Sequence, residues 1–212
     1  MVKDNKKNLC IELHKIGAVK FGLFTLKSGL KSPIYLDLRL LVSYPKTLGL
    51  VAKEFDALAK KNKLKFDRVA GVPYAALPIA TAFSLEANVP MIYPRKERKD
   101  YGTGQGIEGV FKKGETILLC DDLITTAESK FEAIEVLKGA GLVVKDVIVL
   151  VDRGQGGKEQ LAERGYKLHS VLAVGELLEE LHKAGKLSGE EYKSAAEYFK
   201  NPQKWQEGEE GK

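Results

Sequence analysis

Apolar residues recur at helical spacing in two stretches near the N-terminus. Over residues 4–20, Leu9, Leu13 and Ile16 share one face, which predicts a first helix. Pro45 opens a second amphipathic stretch reaching about Lys61, with Leu48, Val51, Phe55 and Leu58 inward. Between them the period falls to two. Phe24-Thr25-Leu26-Lys27 and Ile34 to Arg39 alternate apolar and polar residues, and Ser28-Gly29 and Ser32-Pro33 supply turn chemistry. A hairpin over 24–39 follows. Beyond Phe66, short apolar runs alternate with helical stretches. Val69–Val72, Val89–Tyr93, Thr116–Cys120, Val147–Val151 and Leu168–Val174 predict strands. Leu77–Ala87, Glu128–Leu137 and Lys158–Glu163 predict the helices between them. This alternation implies an α/β fold, a parallel sheet covered by helices on both faces. Helices follow from about 175 to 200, and the polar tail 201–212 is expected to fray.

The 212 residues suit one domain, predicted over 1–200 with a small hood from about 1–40. The longest apolar run, Val147–Val151, is far short of the roughly 20 residues a membrane-spanning helix needs. Met1–Asn8 is rich in Lys and Asn with no apolar stretch behind it, so no secretory signal is expected and the expected location is cytoplasmic. Cys10 and Cys120 sit far apart among apolar neighbours, as reduced buried thiols do. His14, His169 and His182 are scattered and read as structural or surface residues. The net charge is +5, but Ser188–Lys212 carries −2, so the rest carries +7. The cations concentrate at Arg95-Lys96-Glu97-Arg98-Lys99.

Ligands of such folds bind at the carboxyl ends of the strands, so motifs that follow strands matter most. The string Thr116 to Ser129 brings a buried strand, two adjacent carboxylates (Asp121, Asp122), a hydroxyl-rich turn and a helix start. Such a turn makes an anion cradle, and the carboxylates suit sugar hydroxyls or a phosphate-associated metal. Helix capping by Ser and Thr is the plainer alternative. A second string, Tyr93 to Gly106, sets four cations before three glycines in five residues, which predicts a mobile loop able to close over a pyrophosphate. A solvated charged loop is its plainer reading. Phe24 to Tyr35 alone is merely a hairpin.

The Thr116–Ser129 string resembles the 5-phosphoribosyl-1-pyrophosphate (PRPP) motif of type I phosphoribosyltransferases. Taken with Phe24–Tyr35, Arg95–Gly102, Gly71–Pro78 and Val151–Lys158, the chain resembles orotate phosphoribosyltransferase from about residue 9 to 200, most closely the orotate domain of bifunctional enzymes. The resemblance implies the type I phosphoribosyltransferase fold, mainly parallel sheet flanked by helices, with an N-terminal hood of helix and hairpin. It implies Mg²⁺-dependent transfer of phosphoribosyl from PRPP to orotate in pyrimidine biosynthesis. Asp121 and Asp122 would hold the ribose hydroxyls, and Thr125, Thr126, Ala127, Glu128 and Ser129 the 5-phosphate. Lys27 would contact orotate and the pyrophosphate side, and Tyr35 would lie along the pyrimidine. Tyr74, Ala75 and Ala76 would underlie the pyrophosphate through their backbone. Arg95, Lys96 and Lys99 would bind phosphates, Lys99 as the catalytic cation with Asp121 and Asp122. Tyr101 would donate a hydrogen bond, and Arg153 would clamp the orotate carboxylate. Tyr35 in the core and Arg153 in a surface salt bridge are the plainer readings. Mg²⁺ would arrive mainly on PRPP, with Asp121 or Asp122 reaching it through water. A homodimer sharing the 95–106 loop is implied, with no nucleic acid and no membrane.

Two positions depart from the family pattern. Ala127 stands where Gly is usual, and Glu128 must turn outward to avoid repelling phosphate. Two alternatives stay open: a PRPP-fold regulator that binds nucleic acid, which the +7 body allows, and a purine or uracil phosphoribosyltransferase. The Lys27 hairpin and Arg153 favour the orotate reading over the regulator, and the hairpin together with Arg95–Gly102 favours it over the purine enzymes; turnover of orotate, uracil and hypoxanthine separates the rest.

Overall fold

Gly17 ends the first helix sooner than its apolar spacing predicts. In a computed structural model describing residues 2–26, 29–96 and 106–210, with side chains from 5 to 206, α1 covers Val2–Lys15. Gly17 adopts φ +75°, and the amides of Gly17 and Ala18 turn back to the carbonyls of His14 and Leu13 at 2.9 Å each. Only glycine takes that left-handed conformation cheaply, so the helix stops there. The chain continues as β1 (Val19–Thr25), paired antiparallel with β2 (Lys31–Leu36) and bulged between Phe21 and Phe24. The hairpin exists, but its strands are shifted from the predicted positions. The strands are joined past β1, where the Leu26 amide reaches the Leu30 carbonyl at 2.8 Å, and Ser32-Pro33 lies inside β2. Leu38–Ser43 forms a 3₁₀ helix that buries Leu38 and Leu41; their spacing of three suits its three residues per turn.

The next elements are α2 (Pro45–Lys61), β3 (Arg68–Gly71), α3 (Ala76–Ala87), β4 (Met91–Pro94), β5 (Ile107–Glu108), β6 (Thr116–Ile124), α4 (Glu128–Gly139), β7 (Val143–Asp152), α5 (Gly157–Glu163) and β8 (Lys167–Ala173). The sheet order is β5-β4-β3-β6-β7-β8. β3 runs parallel to β4 and β6, and β6 to β7, while β5 is an antiparallel edge. The Ile117–Cys120 stretch of β6 is fully buried because helices cover the sheet, which is why it reads as a continuous apolar run. Among the core residues, Ile117, Leu119, Val147 and Val149 pack with Ile134 and Leu137 of α4. Phe83 of α3 meets Phe55 edge-on at 5.7 Å. β6 runs four residues beyond its predicted end, so both carboxylates lie within the strand rather than after it. The result is the expected α/β layout, a mainly parallel sheet flanked by helices, with the β1-β2 hairpin as a separate two-stranded sheet.

α6 (Val174–Lys183), α7 (Gly189–Lys200) and α8 (Pro202–Glu210) complete the chain. Two compact units result, Met1–Thr47 with Leu172–Lys212, and Leu48–Val171. The predicted hood residues therefore fold with the C-terminal helices, α1 against α6 and β2 against α7. Ser188 and Glu191 form a capping box at the start of α7. The tail does not fray through 210. Trp205 is 9% exposed, meets Tyr198 edge-on at 5.4 Å, and donates its indole N–H to Ser194 Oγ at 3.0 Å. Both cysteines are buried and free, and burial pushes the Cys10 thiol up to about 12. The histidines are structural: His14 and His182 meet backbone carbonyls, and His169 meets Asp146 at 2.8 Å.

Trp205→Ala should cost about 3 kcal/mol by removing a buried indole. Thermal unfolding checks this: an unchanged Tm would show that α8 is not anchored through Trp205.

Candidate active site

β3, β6 and β7 end at one edge of the sheet, and each delivers part of the site. β6 carries the two carboxylates. Asp121 is 4% exposed and its Oδ2 lies 2.6 Å from Lys130 Nζ, while its Oδ1 accepts the Asp122 amide at 2.9 Å. Asp122 is half-buried and its Oδ1 accepts the Leu123 amide at 2.8 Å. Burial first, and then the neighbouring Asp121 charge, push the Asp122 carboxyl up to about 7.

The turn 125–127 joins β6 directly to α4. No side chain caps this helix: Ala127 is the N-cap and makes no side-chain bond, so capping does not account for the hydroxyls of Thr125, Thr126 and Ser129. Both departures from the family pattern find a physical reason. Ala127 sits at φ −90° and ψ 8°, a conformation open to any residue, and its methyl is buried in the core. Glu128 is exposed.

β3 leads into the Val72–Ala75 loop, where the Pro73–Tyr74 peptide is cis and Tyr74 is exposed. β4 leads to Arg95 and Lys96. Arg95 pairs with Glu108 at 3.0 Å, and the Lys96 ammonium lies 5.8 Å from the centre of the Tyr74 ring. Two adjoining hollows of about 200 and 210 Å³ share Pro73, Pro94, Arg95 and Lys96; the second extends to Ser129. The cations, the Tyr74 loop and the helix start therefore line adjoining hollows.

β7 ends at Asp152, whose register partner is Ile124, and the half-buried Arg153 donates its amide to the Ile124 carbonyl at 3.0 Å. Arg153 thus emerges beside the turn. A Cβ on Gly157 would fall 2.5 Å from Ile124 Cγ1 and 2.8 Å from the Thr125 carbonyl oxygen, so only glycine lets α5 approach this closely. Gln160 of α5 then reaches the turn, its Oε1 accepting the Ala127 amide at 2.8 Å.

Tyr35 belongs to the other unit, where its ring lies tilted against Phe24 at 5.6 Å and its hydroxyl accepts from Arg39 at 3.3 Å. Lys27, Lys99 and Tyr101 lie outside the described residues. Sequence reasoning missed Lys130 and Gln160. Lys130 did leave a signal, since it shares the buried face of α4 with Ala133, Ile134 and Leu137. A lysine on an apolar stripe is either paired or functional. Gln160 left none.

The profile described as "Phosphoribosyl transferase domain" matches residues 49–180, and the chain belongs to that family. Within it, the relatives place the chain among the orotate phosphoribosyltransferases. The enzyme of that name from Pyrococcus furiosus is 42% identical over 161 residues, covering 76% of this chain and 88% of its own. A uridine 5'-monophosphate synthase of Bos taurus is 44% identical over 183 residues, 86% of this chain and 38% of its own. Among solved structures, the UMP synthase of Leishmania donovani aligns with a TM-score of 0.81 at 45% identity, covering 91% of this chain and 42% of its own. The chain thus spans about two fifths of the length of these synthases.

Because folding raises the affinity of Asp122 for its proton, the stability from this group is fully present below about pH 4 and is lost as pH rises through about 7. Asp122→Asn removes that loss. In urea unfolding the variant should gain on the parent at pH 8 and match it near pH 4. Equal differences at both pH values would show that Asp122 titrates normally.

Proposed function

We propose that this chain transfers the phosphoribosyl group of PRPP to orotate, forming orotidine 5-monophosphate and releasing pyrophosphate. The observation that carries the reading is the meeting, at one sheet edge, of three groups that PRPP requires. These are the Thr125–Ser129 turn for its 5-phosphate, Asp122 for its ribose hydroxyls, and Arg95 with Lys96 for its pyrophosphate. The orotate phosphoribosyltransferase name borne by a relative 42% identical supports the choice of base.

The orotate nitrogen attacks the anomeric carbon as the bond to pyrophosphate breaks, and the proton of that nitrogen is released to solvent. Positive charge grows on the ribose and negative charge on the leaving group. Backbone amides of the turn and the Thr125 hydroxyl hold the 5-phosphate, with Thr126 and Ser129 at the rim. Arg95 exchanges Glu108 for a phosphate oxygen, and Lys96 leaves the Tyr74 ring for another. The Tyr74–Ala75 backbone underlies the pyrophosphate. Lys99 adds a cation as charge develops, so it stabilises the transition state more than the ground state. Arg153 clamps the orotate carboxylate with its planar fork. Lys27 and Tyr35 contact the base, and Tyr101 donates a hydrogen bond.

Among the described residues, no cluster of three or more His, Cys, Asp or Glu side chains could cage a metal. Mg²⁺ usually keeps its waters and takes one or two carboxylates plus substrate phosphates, which Asp122 beside a pyrophosphate site can satisfy. Bound there, Mg²⁺ would neutralise charge on the leaving group. No helix among the described residues is long and apolar enough to cross a membrane. A cytoplasmic homodimer, each protomer lending its 95–106 loop to its partner's site, completes the proposal.

Incubation with PRPP, Mg²⁺ and orotate should consume orotate absorbance, while uracil and hypoxanthine remain unreacted. Turnover of another base, or of none, would overturn the reading. Lys99→Ala should lower kcat by about 10²–10³, the cost of one lost charge-stabilising donor; undiminished kcat would remove Lys99 from its role.

A further inference from the structure

We infer that Lys130 divides the work of the two carboxylates, locking Asp121 as a buried structural anion and leaving Asp122 as the carboxylate that meets the ribose. This rests on the phosphoribosyl-transfer reading above. Lys130 is 4% exposed, and an ammonium has three N–H donors. Three acceptors surround it: Asp121 Oδ2 at 2.6 Å, the Leu123 carbonyl at 2.7 Å and Ser129 Oγ at 3.3 Å. Two of these lie on β6 and one at the start of α4, so a single cation ties the two sides of the phosphate turn together.

The same geometry closes Asp121 to a ligand. One of its oxygens faces Lys130, the other accepts the Asp122 amide, and its side chain is 6% exposed. Asp122, half-buried at the same strand end, keeps access. Neither partner of the ion pair tolerates loss of the other, because an unpaired buried charge is strongly unfavourable. Removing both charges together leaves no such charge behind. Lys130 is therefore a positioning residue, and Asp121 its anchor.

The test compares Lys130→Gln, Asp121→Asn and the double variant, which keeps amide donors and acceptors at both positions. PRPP binding is measured by calorimetry with Mg²⁺, and KM is measured for both substrates. Lys130→Gln should weaken PRPP binding by about thirtyfold while KM for orotate stays within about threefold, a split that general loosening would not give. The double variant should bind PRPP less than about tenfold more weakly than the parent, showing non-additivity of a coupled pair. A loss of tenfold or more in the double variant would mean that Asp121 itself touches the ribose, and would overturn the inference. So would parent-like PRPP binding by Lys130→Gln. If a single variant fails to fold, the double variant against the parent still decides. Binding is read with PRPP alone, so this pattern in a protein inert toward orotate keeps the inference and overturns only the base.

Discussion

A carboxylate buried in the central strand of a sheet must be compensated where it stands, and much of the active edge follows from how Asp121 is compensated. Burying an ion costs several kcal/mol unless a partner and further hydrogen bonds repay it. The partner is Lys130, in the first turn of α4. For its ammonium to reach Asp121, α4 has to start immediately beyond β6, which leaves only residues 125–127 for the connection. A connection that short, held from both sides, presents its amides in a fixed arrangement. The ligand edge thus inherits its geometry from an interaction that faces the core.

The cations on the two sides of the edge behave differently, and exposure explains why. Arg95 and Glu108 form an ion pair with side chains 26% and 47% exposed, a type worth little in water and easily exchanged for a phosphate. Lys96 rests near an exposed tyrosine ring. These groups can change partners at small cost. Lys130 and Asp121 cannot, since neither reaches solvent. The edge combines a rigid half, built by β6 and α4, with exchangeable charges after β4. Close backbone approach reinforces the rigid half: Gly157 lets α5 press on Ile124, and Gln160 holds the Ala127 amide.

The sheet strands were legible because both-face burial writes continuous apolar runs, and β3, β6 and β7 appear where Val69, Ile117 and Val147 predict them. The errors occur where local chemistry overrides periodicity. α1 ends early because Gly17 adopts a left-handed conformation that apolar spacing does not register. The strand expected through Arg39 becomes a 3₁₀ helix because Leu38 and Leu41 bury at a spacing of three. The tail is a helix because Trp205 finds Tyr198 and Ser194, partners in α7 invisible to composition. At the site, Asp121, Asp122 and the turn were readable as an ordered string, as were Arg95 and Lys96.

The sequence by itself determined the α/β alternation, the placement of acidic, hydroxyl-rich and basic strings after strands, and the resemblance those strings carry. These are properties of neighbours along the chain, and backbone periodicity and turn chemistry act over a few residues. Only the tertiary structure decided that Asp121 turns to Lys130, that Glu128 stands exposed, that Ala127 needs no glycine, and that Gln160 reaches the turn from α5. It also decided that the first forty-seven residues fold with the last forty-one. The physical reason is common to all of these. Side-chain direction and burial depend on which elements pack together, and a charge or amide acquires its role from the partner that packing supplies.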